Sequence, residues 1–96
     1  MDIVELYIAR TDFELQFHYR NIAKHGVTAT EAEECFFDPK RIIRRIGENK
    51  YWMVAHTQAG RLLQIGFEAK SKNVLYVFHA MDAKRYERRQ YKKRGK

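Results

Sequence analysis

Two strand-like segments near the middle of this chain, the first of which alternates apolar and polar residues, are separated by only three residues, a spacing that restricts the possible folds strongly. Tyr51–Thr57 and Arg61–Glu68 each have the length and composition of a strand. Between them, Gln58-Ala59-Gly60 has a glycine where a three-residue hairpin loop needs a positive φ. The two segments therefore predict an antiparallel hairpin within a longer meander.

Further strand-like segments lie on both sides of this hairpin. Arg41–Ile46 precedes it and is followed by a turn at Gly47-Glu48-Asn49. Val74–Ala80, rich in β-branched and aromatic residues, follows a turn at Ser71-Lys72-Asn73. Near the N-terminus, Ile3–Ala9 is an apolar run long enough for one more strand. Together these segments predict an antiparallel β-sheet meander.

Two helices are predicted between the first strand and the meander. Thr11–Glu14 has the form of a capping box, and the helix that it starts ends at Gly26, which tolerates the left-handed cap conformation. The apolar stripe of this helix comprises Leu15, Tyr19, Ile22 and Ala23. Thr28–Glu31 repeats the capping-box pattern and starts a second, short helix. Asp38-Pro39 ends that helix, because proline disfavours helical conformation in the residue before it.

The positive charge of the chain is concentrated at its C-terminal end. Residues 82–96 contain eight basic and two acidic residues, a net charge of +6, whereas residues 1–81 have a net charge of +1. Asp82 is a suitable N-cap for a last helix, whose Ala83, Tyr86 and Tyr91 are expected to pack on the sheet. The basic residues at helical spacing on one face are Arg85, Arg88, Arg89 and Lys92. Such a face attracts polyanions.

Length and composition indicate a single α+β domain covering residues 1–96. Cys35 is the only cysteine, so no intramolecular disulfide can form, and a reducing, cytoplasmic location is expected. The N-terminus has acidic residues where a secretion signal needs basic ones, and no apolar run is long enough to span a membrane. The four histidines lack the spacing of metal ligands, so neither a metal nor another cofactor is expected.

Several short motifs, in register over most of the chain from Phe13 to Tyr91, resemble the BrnT family of bacterial type II toxins. These motifs are Asn21-x-x-Lys24-His25-Gly26-Val27, Glu31-Ala32, Phe36-Phe37-Asp38-Pro39, Gly60-Arg61-Leu62-Leu63, Phe78-His79-Ala80 and Glu87-Arg88-Arg89-x-Tyr91. The resemblance implies a RelE-like fold and metal-independent endoribonuclease activity. It also implies an antitoxin partner, typically with a ribbon-helix-helix DNA-binding part, a pair that represses its own promoter, and a homodimer within the antitoxin complex.

The chain departs from the family pattern at two places. The family usually has an arginine in the triplet that here reads His79-Ala80-Met81, and a thioether cannot hold a phosphate. Near the N-terminus, the family's Trp-Asp pair is Phe13-Glu14, and a family lysine is replaced by Phe17. The Met81 replacement keeps a second function open, namely a catalytically inactive module that binds the antitoxin or nucleic acid.

Metal-free RNA cleavage needs groups that transfer protons and cations that hold the phosphate. Histidine suits the first task because its pKa lies near working pH, and arginine suits the second because its fork donates two parallel hydrogen bonds. The predicted catalytic residues are His79 for proton transfer and Arg61 and Arg88 for the phosphate. The predicted RNA- or phosphate-binding residues are Lys24, His25, Arg85, Arg89 and Lys92.

Each of these residues also has a structural interpretation. Lys24 and His25 suit the last turn of a helix, where a positive charge faces the negative end of the helix dipole. His79 can be a half-buried strand residue, and Arg61 can be an exposed charge at a strand edge or can pair with Glu68. Glu87-Arg88 can include an ion pair between the helix and the sheet.

Overall fold

The computed structural model describes residues 2–94, which form four helices and five strands. The helices are α1 (Ile3–Ala9), α2 (Tyr19–Ala23), α3 (Ala29–Cys35) and α4 (Arg85–Arg94), and the strands are β1 (Glu14–Phe17), β2 (Ile42–Arg45), β3 (Lys50–His56), β4 (Leu62–Ser71) and β5 (Val74–Asp82). Among these residues no helix is long and apolar enough to cross a membrane. Residues 95 and 96 of the predicted basic segment lie outside the described residues.

The five strands form one mixed sheet in the order β1-β5-β4-β3-β2. Neighbouring strands from β2 to β5 pair in antiparallel fashion, whereas β1 pairs with β5 in parallel. The predicted α+β class is confirmed. The expectation of a wholly antiparallel sheet is wrong, because a short edge strand that precedes the meander adds alongside β5 in the same direction.

The two faces of the sheet are covered differently. Along β4, Leu63, Ile65 and Phe67 point into a core shared with apolar residues of α1, α2 and α3. On the opposite face, Leu62 packs with Tyr91 of α4 in a second, smaller cluster. Since α4 covers only part of that face, the remainder carries the polar and aromatic residues considered below.

The N-terminal segment is a helix and not the predicted strand. Asp2 caps α1, because its Oδ1 accepts a hydrogen bond from the Val4 N–H at 2.9 Å. Val4 and Ile8, four residues apart, are the buried residues of this helix. Short apolar runs do not distinguish the two kinds of element by periodicity alone, and the N-cap at Asp2 decides for the helix.

The predicted helix from Thr11 to Gly26 is only partly present. Thr11 has a φ of 54°, so the chain turns there and continues as the edge strand β1. Leu15 and Phe17 alternate with exposed residues and pack against the core. Pairing with the free edge of β5 therefore prevails over the local capping signal. Only α2 is helical in this region, and it begins after His18, whose Nδ1 accepts from the Asn21 N–H.

The predicted turn chemistry is confirmed at three positions. Thr28 and Glu31 form the reciprocal hydrogen bonds of a capping box at the start of α3. Gly26 and Gly60 have φ values of 69° and 90°, which few other residues adopt without strain. These turns place the end of α2 and the start of β4 next to each other, as the contacts of Arg61 show below.

The start of α4 differs from the prediction. Asp82 ends β5, and its carboxylate accepts from Arg61 and does not cap the helix. Glu87 caps the start of α4 instead, because its Oε1 accepts a hydrogen bond from the Lys84 N–H at 2.8 Å. Ala83 and Tyr91 pack as expected, but Tyr86 is 50% exposed.

Candidate functional site

His79 lies on β5 at an irregularity in the sheet. Gly66 pairs with His79 while the next residue of β4, Phe67, pairs with Val77, so Phe78 is an additional residue on β5. Such bulges change the direction of side chains and are common beside active sites. The His79 ring is half-buried on the face that α4 partly covers.

A hydrogen-bond network of His79, Gln64 and Glu87 connects β5 to the start of α4. Nε2 of His79 lies 2.9 Å from Oε1 of Gln64. Nε2 of Gln64 lies 2.8 Å from each carboxylate oxygen of Glu87. Gln64 and Glu87 are both only 2% exposed. Because buried polar groups are costly unless they are hydrogen-bonded, these hydrogen bonds fix the positions of the three side chains.

The contacts of Glu87 determine which nitrogen of His79 carries a proton. A carboxylate only accepts hydrogen bonds, so the amide nitrogen of Gln64 must face Glu87 and its oxygen must face His79. Nε2 of His79 is therefore the donor, and in the neutral ring Nδ1 has the free lone pair. Among residues 2–94 no side chain or backbone group is hydrogen-bonded to this Nδ1.

Burial lowers the pKa of His79 below its ordinary value of 6.5, and the nearby His25 and Lys84 lower this pKa further. Glu87 acts in the opposite direction but does not reverse the shift. The ring is therefore neutral near pH 7. A neutral imidazole with a free Nδ1 is suited to accept a proton.

Trp52 stacks on His79 although strand β4 lies between their two strands. Their ring centroids are 5.0 Å apart and their planes differ by 15°. Trp52, Gly66 and His79 are paired across β3, β4 and β5, so glycine occupies the central position. A Cβ atom on Gly66 would lie 2.9 Å from both the Trp52 indole and the Phe78 ring. The absence of a side chain at Gly66 is therefore what allows the indole to reach His79.

His25 is the second imidazole of the site. It follows α2, and its ring meets that of His79 edge-on with centroids 5.9 Å apart. Lys24 is the exposed C-cap residue of α2. Of the two residues predicted here, the structure brings His25 next to His79, and it gives Lys24 the position that the capping interpretation requires.

Arg61 is held in a network of hydrogen bonds at the start of β4. Its Nε donates to Asp82 at 2.8 Å, and its Nη1 donates to Glu31 at 3.2 Å and to the Gly26 carbonyl at 2.9 Å. Nη2 lies 3.4 Å from the carbonyl oxygen of His25. Arg61 therefore connects β4 and β5 to the turn that presents His25.

The electrostatics of this network are mutually favourable. The hydrogen bond to Asp82 raises the pKa of Arg61, and the same bond holds the pKa of Asp82 below its ordinary value. The pKa of Glu31 is lowered by the Thr28 backbone and then by Arg61. The expected pair of Arg61 with Glu68 is wrong, since Glu68 instead forms an ion pair with Lys70 at 3.0 Å.

The predicted cations of α4 do not meet at His79. Arg85, Arg88, Arg89 and Lys92 are all exposed, and within residues 2–94 none of them is hydrogen-bonded to His79. Arg88 and Lys92 line a separate cavity described below. Within the same residues, no three His, Cys, Asp or Glu side chains are grouped as metal ligands.

Gln64, Glu87 and Trp52 were not predicted to act with His79. The signal for Gln64 is a polar residue within the otherwise apolar run Leu62–Phe67. The signal for Glu87 is its spacing of four from both Ala83 and Tyr91, which places it on the buried side of α4. Glu87 does not form the predicted ion pair between helix and sheet, because its sheet partner is the amide of Gln64.

No protein-family model matches this chain, and no curated protein matches it at a significant level. The geometry defines a class of site, namely a neutral, half-buried histidine with a fixed tautomer, stacked on an indole and next to a second histidine.

Proposed function

We propose that this chain is the toxin of a type II toxin–antitoxin pair and acts as a metal-independent endoribonuclease with a RelE-like fold, as its resemblance to the BrnT family implies. The observation that carries the proposal is the arrangement of His79, whose Nε2 is held by Gln64 and whose lowered pKa keeps the ring neutral. A small ribbon-helix-helix antitoxin neutralises the toxin, and the basic face of α4 contributes to binding RNA or this antitoxin.

In the proposed reaction His79 acts as the general base. Its Nδ1 accepts the proton of a ribose 2′-hydroxyl, and the 2′-oxygen then forms a bond to the adjacent phosphorus. The bond from phosphorus to the 5′-oxygen breaks, and the leaving oxygen takes up a proton, for which we propose the imidazole of His25 beside His79 as the donor. The products are a 2′,3′-cyclic phosphate and a 5′-hydroxyl. Trp52 holds the His79 ring from one side and excludes water there.

The alternative function, a catalytically inactive module that binds antitoxin or nucleic acid, is favoured by two observations. Nε, Nη1 and Nη2 of Arg61 all have acceptors within the protein, so few of its donors remain for a phosphate. Met81 lies two residues after His79 on β5 and pairs with Gln64, at the position where the family has an arginine. Without Arg61 and the family arginine to bind the phosphate, the negative charge that develops on its oxygens during cleavage is less well stabilised.

A cleavage assay distinguishes the two functions. The purified protein is incubated in EDTA with a long single-stranded RNA, and the ends of any fragments are analysed. We expect fragments that carry 2′,3′-cyclic phosphate and 5′-hydroxyl ends. RNA that is bound but stays intact, with and without ribosomes, would instead support the inactive binding module.

The substitution Met81→Arg is expected to increase cleavage about tenfold. The side chain of residue 81 is on the same side of β5 as His79, so an arginine there adds a phosphate-binding cation to the site. Met81→Leu, which adds no charge, is the matched control. An unchanged cleavage rate in a folded Met81→Arg protein would mean that the site does not lack a cation at this position.

A further inference from the structure

A cavity of about 360 Å³ lies beside α4, away from His79. Three cations line it: Lys40 from the loop before β2, and Arg88 and Lys92 from one side of α4. Leu62 and Tyr91, which pack together, supply its apolar wall, and the His56 ring borders it. None of the residues that contact His79 lines this cavity.

The residues that line the cavity carry positive charge and no negative charge. No aspartate or glutamate lines it. Within residues 2–94, none of Lys40, Arg88 and Lys92 has a carboxylate within ion-pair distance. Three like charges that converge on one concavity repel each other unless an anion binds between them, and the concave shape strengthens the field.

The wall around His56 is held in place by its own hydrogen bonds. The Tyr91 hydroxyl donates to Oδ2 of Asp38 at 2.6 Å and lies 2.6 Å from Nδ1 of His56. The His56 backbone N–H donates to the same Asp38 oxygen at 2.8 Å. Burial raises the pKa of Asp38, but these bonds and that of the Lys40 N–H outweigh burial and keep the pKa below its ordinary value.

The imidazole of His56 is therefore fixed and accessible at once. It meets the Tyr91 ring edge-on, with centroids 4.6 Å apart, and its side chain is 41% exposed. A flat ring held at the rim of a cavity is a surface on which a nucleobase stacks. The three cations that line the same cavity suit a phosphate, and Arg88 can donate two parallel hydrogen bonds to it.

We propose that this cavity binds one nucleotide unit, with its phosphate between Arg88, Lys92 and Lys40 and its base against His56. The volume lies within the range of small-ligand sites. The proposal moves Arg88 from catalysis to nucleotide binding. The part of this proposal that assigns the nucleotide to the RNA substrate rests on the proposed function. The affinity of the cavity for a nucleoside monophosphate is independent of that function.

The position of the cavity fits a nucleotide next to the one that is cleaved. Leu62 lines the cavity and Gln64 holds His79, and these two residues are neighbours on the same face of β4. Two residues along a strand span about 7 Å. A single RNA strand with its reacting phosphate at His79 therefore reaches the cavity with a flanking nucleotide.

The test measures binding of adenosine 5′-monophosphate by calorimetry, with adenosine and inorganic phosphate for comparison. The double variant Arg88→Gln/Lys92→Gln is expected to lose about tenfold or more in affinity, since two charge-assisted contacts are removed. The matched control is Lys93→Gln/Arg94→Gln, which removes the same charge from the same helix but not from the cavity lining, and it is expected to stay within about twofold. Thermal unfolding verifies that both proteins fold.

Equal losses in the two double variants, or no binding of the monophosphate by the wild-type protein, would overturn the proposal. A second arm adds a 2′-O-methyl RNA oligonucleotide, which binds but cannot be cleaved. If this RNA displaces the monophosphate, the cavity is a site for the substrate strand. If the monophosphate still binds unchanged at saturating RNA, the nucleotide in the cavity does not belong to the RNA substrate. Specific monophosphate binding by a protein that cleaves no RNA would refute the ribonuclease proposal while leaving the cavity as a nucleotide site.

Discussion

Replacing His79 by alanine is expected to lower the rate of RNA cleavage by about 10²–10⁴-fold, the usual contribution of a general base. RNA affinity is expected to change little, because the cations that attract the RNA backbone are elsewhere on the surface. Single-turnover cleavage and a separate binding titration measure the two quantities. Loss of binding in proportion to the loss of cleavage would contradict a role in proton transfer.

The pH dependence gives this prediction a second readout. The proposed general base is neutral His79, and burial lowers its pKa. If the proposal is right, kcat/KM falls on the acidic side with an apparent pKa below 6.5. The same shift affects folding: between the lowered pKa and about 6.5 the unfolded chain binds more protons at this position. Stability from this group is therefore lost as the pH falls through that window, and stays constant below it.

Glu87→Gln tests whether the buried chain of hydrogen bonds fixes the His79 tautomer. Without the carboxylate, the amide of Gln64 is free to rotate and donate to Nε2 of His79, which leaves the proton on Nδ1. If His79 is the general base, cleavage is expected to fall about 10- to 100-fold with KM nearly unchanged. This is less than the loss of about 10⁴ seen where the orienting carboxylate contacts the histidine directly, because Glu87 acts through Gln64. The loss of cleavage in Glu87→Gln is expected to be smaller than that in His79→Ala.

Nitrogen NMR of the imidazoles distinguishes this role from a merely structural one. In the wild-type protein we expect the signals of His79 to be those of a neutral ring protonated at Nε2. In Glu87→Gln they are expected to shift towards the Nδ1-protonated form. A slow variant with an unchanged tautomer would show that Glu87 acts only through the fold of α4, whose Lys84 N–H it caps.

The parts of the fold that follow from local chemistry were predictable. The capping box at Thr28 and Glu31, the positive φ of Gly26 and Gly60 and the hairpin between β3 and β4 each depend on residues close in sequence. The predicted helix from Thr11 was wrong in its first half because a partner distant in sequence decides there. Glu14–Phe17 is a strand because β5 offers an edge some sixty residues later, and nothing near Thr11 indicates that edge.

The site was predictable only in part for the same reason. His79 and His25 were identified from motif resemblance, and the structure brings their rings together. The roles of Gln64 and Gly66 depend on cross-strand register, which local sequence does not fix. Both lie on the strand next to His79, one as a hydrogen-bond partner and the other as the gap that admits Trp52.

Arg61 was predicted to hold the phosphate, and its contacts favour a positioning role instead. Arg61→Met removes the donors that connect Asp82, Glu31 and the His25 carbonyl, so the turn that presents His25 loses its attachment to β4. We expect destabilisation by about 1–2 kcal/mol, reduced from the value for buried charged hydrogen bonds because the Arg61 side chain is 29% exposed. The cleavage rate is expected to fall about tenfold. Chemical denaturation and single-turnover kinetics measure these effects.

Variants of its partners decide between the two roles of Arg61. If Arg61 positions the turn, Glu31→Gln and Asp82→Asn weaken the same network and lower kcat as Arg61→Met does, although glutamine still serves the capping box at Thr28. If Arg61 holds the phosphate, these two variants release its guanidinium and leave RNA affinity unchanged or higher. In that case Arg61→Met lowers RNA affinity and reduces the salt dependence of binding by about one ion.

Arg61→Lys also distinguishes the two roles, because a lysine keeps the charge but cannot span Asp82, Glu31 and two carbonyls at once. We therefore expect Arg61→Lys to be nearly as slow as Arg61→Met, with an RNA affinity and salt dependence close to those of the wild-type protein.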